Sequence, residues 1–388
     1  MPPMPPVTLP GWIYHDAAFQ ALERDAIFRR TWQLAGHQSE IPNGGDYLRF
    51  DLLGESAIVL RDAAGEIRAF HNVCRHRAFQ LLDGPGGHCD RLIRCRYHGF
   101  AYGLDGSLQN VPGEASFDGL DKADHGLRPI AIEIFMGLIF IRFSAEASGP
   151  SIAEQFAPYA EALARYRIAE MMPLGPATTT PINADWKVAV ENNIEGYHIP
   201  PAHPGLQRLF GPHYRFETAP LGASHAGGPL RDASATSSWS ERHYLNLLPT
   251  VDHLAPEQQR GWFYYAMFPN LAFDIYPDQI DYFQILPVAP GRAVSRTRAF
   301  ALADDRRAMR AARYLNQRIN RDVGREDVML VEGVQAGLAS SGYGRGILSG
   351  KESRVQQFQD MIRAAIPLAD SPAPPLGGGG QDLEPTPL

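Results

Sequence analysis

Two short runs constrain this chain more tightly than any other stretch of it. Cys74-Arg75-His76 and Cys95-Arg96-Tyr97-His98 stand eighteen residues apart, and each brings one thiol and one imidazole. Read together they are C-x-H and C-x-x-H, two loops of like design that differ by one residue in how closely the ligands are strung. Two thiolates and two imidazoles can hold a structural zinc ion. They can also hold a [2Fe–2S] cluster in which one iron takes both sulfurs and the other takes both ring nitrogens. The flanks FHNVCRHRAFQL and LIRCRYHGFAYGLDGSL set both runs among short strand-like segments, so the ligands fall on loops at the tips of a small β-fold.

Composition removes several alternatives. A chain of 388 residues, 44% hydrophobic, can fill two cores. The longest apolar candidate for a membrane span, Ile130 to Phe143, is interrupted by Glu133 and Arg142, which predicts no membrane crossing. The opening MPPMPPVTLPGW has no basic stretch followed by an apolar one, so secretion is not indicated and a cytoplasmic protein is expected. Cys89 is the only cysteine outside the two runs and reads as a bystander, which argues against a disulfide framework. A net charge of −7 gives no case for nucleic acid.

The pattern along the chain predicts an α+β protein. Residues 12–36 read as an amphipathic helix leading into a strand, and residues 1–37 as a helical segment that packs on the second domain. Residues 38–148 form a small β-rich domain around the two runs, closed by strands in GLRPIAIEIFMGLIFIRF. SAEASGPS, residues 144–151, is the best linker. Residues 149–367 form the second domain: a short helix over 152–168, a strand turning into a helix after Met172, and an irregular glycine-rich stretch over 222–238. Aromatic strands follow, then two helices, Asp305–Asn320 and Arg325–Ala339, and a last helix over 351–366. The proline- and glycine-rich residues 368–388 are expected to be a disordered tail.

A second metal motif lies in DWKVAVENNIEGYHIPPAHPG. His198 and His203 are five apart, a spacing that points them to different sides of an ideal helix, but Pro200 and Pro201 end that helix and let His203 swing back. Two imidazoles and one carboxylate with open positions make the facial triad of non-haem Fe(II) oxygenases, whose open positions admit O2 and substrate. Alone, the histidine pair is weak evidence; downstream of a cluster motif it is strong. A Rieske-type electron carrier would stop near residues 110–150 and would lack His198 and His203.

With both motifs in place, residues 12–366 resemble the large or sole oxygenase subunit of the Rieske non-haem iron oxygenases. The resemblance implies a Rieske [2Fe–2S] domain held through Cys74, His76, Cys95 and His98, followed by a helix-grip-like catalytic domain with an antiparallel sheet. It implies mononuclear Fe(II) on His198, His203 and an aspartate from a C-terminal helix. Asp327 in NRDVGREDVMLVEGVQAGL is the match, with Glu332 and Glu326 behind it; Asp327 could instead satisfy the first turn of a helix, and Glu332 could be a solvated helix residue. Asn192 matches a residue near the family's iron, or it makes only a local hydrogen bond. The resemblance further implies a homotrimer in which one subunit's cluster feeds its neighbour's iron. Electrons would come from a separate NAD(P)H-dependent reductase, with or without a ferredoxin.

One position departs from the common pattern. Where most members carry aspartate three residues before the first iron histidine, this chain has Glu195. The family's acid joins a cluster histidine to an iron histidine across a subunit boundary, positions matched here by His98 and His198, and such a carboxylate fixes ring tautomer and direction. Glutamate there resembles the branch acting on quaternary ammonium compounds such as carnitine, glycine betaine and stachydrine. Aromatic faces recognise such cations. Trp239, Trp262, Phe263, Tyr264, Tyr265, Phe273, Tyr276, Tyr282 and Phe283 are available, and strand alternation turns about half of them inward. The expected reaction is monooxygenation of an N-methyl group with demethylation; the alternative is hydroxylation or O-demethylation of an aromatic acid. A substrate carboxylate would want an arginine, with Arg208, Arg215 and Arg231 as candidates.

Overall fold

A computed structural model describes residues 6–375. The chain divides into two compact units: Arg29–Ala147, and the segment up to Phe28 together with the chain from Ser148 onward. The N-terminal boundary therefore falls at 28/29 rather than 37/38. The reason is pairing: residues 33–37 are a strand of the first unit, registered Gln33 to Ile141 and His37 to Leu138.

The first unit is built from ten short strands in three antiparallel sheets. β1 (Gln33–His37) joins a three-stranded sheet, and β2 (Asp46–Leu52), β3 (Glu55–Arg61), β4 (Ile67–His71) and β5 (Gly86–His88) form a second in the order β4-β3-β2-β5. β6 (Leu92–Arg94), β7 (Ala101–Gly103) and β8 (Leu108–Asn110) form the third, and β9 (Ala131–Phe135) and β10 (Leu138–Arg142) complete the first. The cluster runs leave the ends of β4 and β6. Ile58, Phe70, Leu81, Ile93, Phe100 and Tyr102 pack beneath them in one core with Cys74 and Cys95. Burying a strand end requires partners for its amides. Asn72, fully buried, supplies them: its Oδ1 accepts from Leu81 N (3.0 Å) and Leu82 N (2.9 Å).

The second unit opens with α1 (Ala17–Glu23), capped by Asp16, whose carboxylate accepts from Phe19 N at 2.7 Å. The helix expected over 152–168 is two, α2 (Ile152–Phe156) and α3 (Ala160–Ala164), with Pro158 in the 3-10 turn between them. β11 (Met172–Pro173) and β12 (Thr178–Ile182) precede α4 (Trp186–Asn193), α5 (Ile199–Ala202) and α6 (Pro204–Phe210). β13 (Arg215–Thr218), β14 (Ala223–Pro229), α7 (Trp239–Leu247), β15 (Gly261–Met267), β16 (Leu271–Ile275), β17 (Ile280–Ala289) and β18 (Arg292–Ala301) follow. α8 (Arg307–Leu338) and α9 (Ser353–Ala365) close the unit. The antiparallel sheet runs β11-β18-β17-β16-β15-β14-β13, with β12 also on β18.

Two expectations are corrected here. The glycine-rich stretch expected to be irregular contains β14; Gly227 and Gly228 are what let it be a strand, since a Cβ on them would lie 2.1 Å from Trp262 O and 2.4 Å from His213 O. The two helices expected near 305–339 are one, because Gly324 sits in open space and costs about 1 kcal/mol in a helix without breaking any hydrogen bond. Asp327 is therefore a mid-helix residue and not a first-turn carboxylate. The tail also starts later than residue 368: Pro367–Asp370 is a 3-10 turn with Ala369 fully buried and Asp370 bonded to Arg363 Nε at 3.0 Å. Residues 376–388 of the expected tail lie outside the described residues. Among the described residues no helix is long and apolar enough to cross a membrane.

Register decides which aromatics face which way. Tyr264, Asp274 and Asp281 lie opposite one another across β15, β16 and β17, as do Ala266, Ala272 and Phe283, so all six share one face. Trp262 and Tyr276 on that face pack with Phe210, Tyr244, and Ala312, Leu315 and Ile319 of α8. Phe263, Tyr265, Phe273 and Tyr282 point to the other face, where Phe156 and Tyr159 from the 152–164 helices meet Phe273 and Tyr265. Trp239 belongs to neither; it is 55% exposed on α7.

Candidate metal centres

The two cluster loops repeat one backbone design. Cys74 N donates to Phe79 O and Cys95 N to Phe100 O, both at 2.8 Å; Ala78 N returns to Cys74 O (3.1 Å) and Gly99 N to Cys95 O (3.0 Å). Closing each loop demands a left-handed residue four positions after the cysteine, and Ala78 (φ 56°) and Gly99 (φ 78°) supply it. Both thiols are thereby carried inward and are 2% exposed. The Cys74 thiol lies 3.2 Å from the Tyr102 hydroxyl, which also accepts from Arg75 N at 3.0 Å. Burial raises the Cys74 pKa, with only partial relief from the Tyr102 bond, so its thiolate needs a cation beside it.

The two imidazoles occupy the other side of the loops. His76 and His98 approach edge to face with centroids 4.5 Å apart, and His76 stacks on Phe100 at 4.7 Å and 5°. His76 Nδ1 is buried and has no hydrogen-bond partner. An orphaned nitrogen beside a second imidazole, with two buried thiols in the same core, is a donor set that fits a two-thiolate, two-imidazole [2Fe–2S] cluster. His98 is half-buried, and beside it Tyr97 (centroids 3.7 Å apart) is 51% exposed.

The second centre is assembled from α4 to α6 and the middle of α8. Asp185 caps α4 through Lys187 N (3.0 Å), and buried Lys187 binds Glu23 (2.5 Å) and Asp185 (2.7 Å), which fixes the helix from below. His198 then precedes α5 and His203 follows it. Pro200, Pro201 and Pro204 start helical turns rather than ending one: the first positions of a helix have no use for an N–H donor. The α5 turn, with Ala202 N on His198 O and His203 N on Ile199 O at 2.9 Å each, brings the two rings to 4.9 Å at 76°.

Asp327 meets both histidines. Its Oδ1 is 2.9 Å from His203 Nε2 and 3.7 Å from His198 Nε2, and one ligand atom from each of the three lies within 4.8 Å of the others. Asn192 Nδ2 donates to the same Oδ1 at 2.7 Å, so Asn192 orients the carboxylate instead of bonding only within its helix. Each ring nitrogen turned away from the cluster of donors has its own acid: Glu195 Oε1 on His198 Nδ1, and Glu326 Oε2 on His203 Nδ1 at 2.7 Å. Glu326, a runner-up for third ligand, thus sits behind a histidine. Glu332, the other, bonds Asn183 Nδ2 at 2.8 Å and faces away from the site. Burial disfavours a charged His203, yet hydrogen bonds and charge from Asp327 and Glu326 outweigh it and raise its pKa, the signature of a pocket that favours a cation.

Beside this centre the sheet face carries groups that sequence reading did not single out. Tyr264 and Asp274 lie within electrostatic reach of Asp327. Burial pushes the Asp274 carboxyl up to about 7, against a hydrogen bond from Tyr276 (3.2 Å). Tyr264, Asp274, Asp281 and Phe283, on one face of the sheet, are half-buried, and Phe283 with Ala272 also lines a cavity bounded by the end of α4 and by α9. Of the candidate arginines, Arg208 forks onto Glu241 (2.9 and 2.6 Å) and Arg215 donates to Tyr214 O (2.9 Å), while the Arg231 side chain lies against Gly211.

Comparison with known proteins supplies the context. Residues 31–127 match the Rieske [2Fe-2S] domain family and residues 165–368 the ring hydroxylating alpha subunit (catalytic domain) family. The chain is 29% identical over 365 residues to the carnitine monooxygenase oxygenase subunit of Acinetobacter pittii (92% of this chain, 94% of that one). It is 28% identical over 354 residues to the chloroplastic choline monooxygenase of Beta vulgaris (89% and 74%). A quaternary ammonium Rieske monooxygenase structure superposes with a TM-score of 0.77 at 24% identity, covering 92% of this chain and 95% of that one, a likeness of fold.

Proposed function

This chain belongs to the Rieske non-haem iron oxygenases, the ring hydroxylating alpha-subunit family, and we propose that it is the oxygenase component that removes an N-methyl group from a quaternary ammonium compound. The observation that carries this reading is that the acids Asp274 and Asp281 share one sheet face with the Tyr264 and Phe283 rings, with Tyr264 and Asp274 within electrostatic reach of Asp327. A buried acid is costly next to an uncharged aromatic substrate. Next to a methylammonium group, which offers charge but no hydrogen-bond donor, acid and ring faces are both favourable. Relatives named for carnitine and choline oxidation lend support.

The residues divide the work by position. Cys74, Cys95, His76 and His98 would hold the cluster, and His198, His203 and Asp327 the mononuclear iron. Bound there, the two groups would supply electrons and O2 activation, so that one oxygen atom enters a substrate C–H bond and the other leaves as water. Glu195 and Glu326 hold the proton on the outward nitrogen of His198 and His203, which presents each inner nitrogen as a lone pair. Asn192 keeps Asp327 turned toward both rings. Tyr264 and Phe283 exclude water from the reacting methyl group, and Asp274 balances its charge. In a homotrimer, Glu195 would accept from His98 of a second copy and so link cluster and iron; a reductase oxidising NAD(P)H would recharge the cluster.

An N-hydroxymethyl product collapses to formaldehyde and the shorter amine. The test is a panel of methylammonium compounds and aromatic acids with the holoenzyme and a reductase, following NAD(P)H, O2 and formaldehyde together. Formaldehyde in step with O2 from a methylammonium compound supports the reading; turnover confined to aromatic acids refutes it.

A further inference from the structure

The charges of α8 are sorted by half. From Arg307 to Arg325 the helix carries six arginines against one acid, Asp322, in a chain whose net charge is −7. From Glu326 to its end it carries Glu326, Asp327 and Glu332 and no basic residue. Helix stability does not ask for this order. The N-terminal end of a helix favours anions, yet the first turn of α8 holds no acid and begins with Arg307. A face that only meets water gains from acids set three or four positions from bases, and this one forgoes nearly all of them.

The arginines also share one side. Arg307, Arg310, Tyr314, Arg318, Arg321 and Arg325 recur every three or four residues and all are exposed, Tyr314 by 59%. Met309, Ala312, Leu315 and Ile319 turn to the core, and Arg313, the sixth arginine, turns in to donate to Asp278 O at 3.0 Å. The stripe is about 27 Å long at about 1.5 Å per residue. Among the described residues little neutralises it. Arg310 donates to Asp305 O and Arg318 to Ser240 Oγ, both at 2.8 Å and both uncharged acceptors. Asp322 reaches Arg325 at 3.6 Å, and Asp304, ahead of the helix, is taken by Arg306 at 2.6 Å. Next to Ser240, Trp239 opens α7 and is 55% exposed. Arginine, tyrosine and tryptophan left in solvent are the side chains that anchor protein partners.

We propose that this face of α8 is the docking surface for an acidic electron-donor protein, a carrier of the plant-type [2Fe–2S] class. The inference rests on the oxygenase reading and on the link from Glu195 to His98 of a second copy, and is independent of the substrate. Position favours this occupant. The stripe ends at Arg325, two residues from Asp327, and Arg321 lies about 9 Å from Asp327 along the helix axis. With His98 of a second copy meeting Glu195 at that pocket, a protein seated on α8 stands beside the cluster it must recharge. Each encounter moves one electron: the donor's cluster is oxidised by one and the Rieske centre reduced by one. The step runs downhill because histidine ligation raises the Rieske potential above that of a plant-type centre.

The experiment mixes oxidised full-length holoenzyme with chemically reduced plant-type ferredoxin, without O2, and follows reduction of the Rieske absorption by stopped flow. In wild type the second-order rate falls about 10-fold or more between about 20 and about 300 mM salt. Arg310→Glu combined with Arg321→Glu lowers the low-salt rate by about 10- to 100-fold and flattens the salt dependence. Arg310→Lys combined with Arg321→Lys keeps both charges and stays within about threefold of wild type. Dithionite, which needs no docking, reduces every variant as it does wild type and so checks folding and cluster content. Arg91→Glu combined with Arg94→Glu, at exposed positions on and beside β6 in the first unit, leaves the ferredoxin rate unchanged. A rate indifferent to salt, an α8 double reversal reduced at wild-type speed, or a loss confined to the β6 variant overturns the docking face. So does a double reversal that changes the oligomeric state measured by light scattering, since the stripe then covers a second copy. A wild-type protein with no cluster reducible by dithionite defeats the oxygenase reading itself, and the docking face with it.

Discussion

The proposed cluster loops and the proposed iron pocket are built by opposite means. In the cluster loops the backbone does the holding: matched amide bonds and a left-handed turn place Cys74 and Cys95, and among the described residues no carboxylate is bonded to His76 Nδ1. In the iron pocket the backbone brings His198 and His203 together, but side chains finish the job, with an acid behind each ring and an amide on Asp327. A centre that only passes electrons can be a rigid clasp. A centre that must leave room for O2 and substrate has few ligands, so it draws its rigidity from what stands behind them.

The largest effects should separate the two centres outright. Asp327→Ala (D327A) removes the mononuclear iron and drops formaldehyde formation to background, while the cluster spectrum stays intact. Cys74→Ser does the reverse to the spectrum and leaves mononuclear iron bound. Joint loss of both metals in either variant would break the contrast; metal analysis with electron paramagnetic resonance reads it. Next in size is Glu195→Ala, which should keep both centres but lose coupled turnover. Single-turnover electron transfer at the wild-type rate in that variant would refute the bridge. Smaller again is Glu326→Gln, expected to weaken iron binding or activity by about 10- to 100-fold without altering the cluster, since it disturbs only the ring behind His203. Iron titration of the metal-free variant checks it.

The contrast extends to pH. In the first unit, a hydrogen bond from His88 holds Asp46 below its usual pKa and bonds from Ser107 do the same for Asp105. Such groups stabilise above their unfolded pKa and lose that contribution as pH falls through the folded value. In the second unit, burial pushes Glu191 up to about 7 despite bonds from Gln359 and Tyr14. It binds a proton that the unfolded chain releases near 4.5, so stability is lost as pH rises from there to about 7. Glu191→Gln, which can still accept from Tyr14 and Gln359, should raise stability by about 2–3 kcal/mol above pH 7 and by nothing below pH 4. Melting at pH 4 and pH 8 tests the sign; an equal gain at both would contradict it.

Legibility followed sequence distance. Cys74 to His98 is one local pattern, and the six residues from His198 to His203 are another, so both could be read along the chain. Asp327 could be placed only through resemblance, because a continuous α8 brings it from 124 residues beyond His203. Glu326 reads as a candidate ligand beside Asp327 because adjacent helix positions look alike in sequence; only the helix rotation turns Asp327 to the inner nitrogens of the two histidines and Glu326 to the back of His203. Strand alternation sorted the aromatics correctly by half, but it could not separate core Trp262 and Tyr276 from cavity-facing Phe283 on the same face.

Metal and acid-labile sulfide analysis of the purified holoprotein, read with its visible spectrum, tests the two-centre account most directly. The account predicts a brown protein with about three irons and about two sulfides per chain, two of the irons in the cluster and one in the pocket of His198, His203 and Asp327. A colourless protein holding stoichiometric zinc and no sulfide would contradict it.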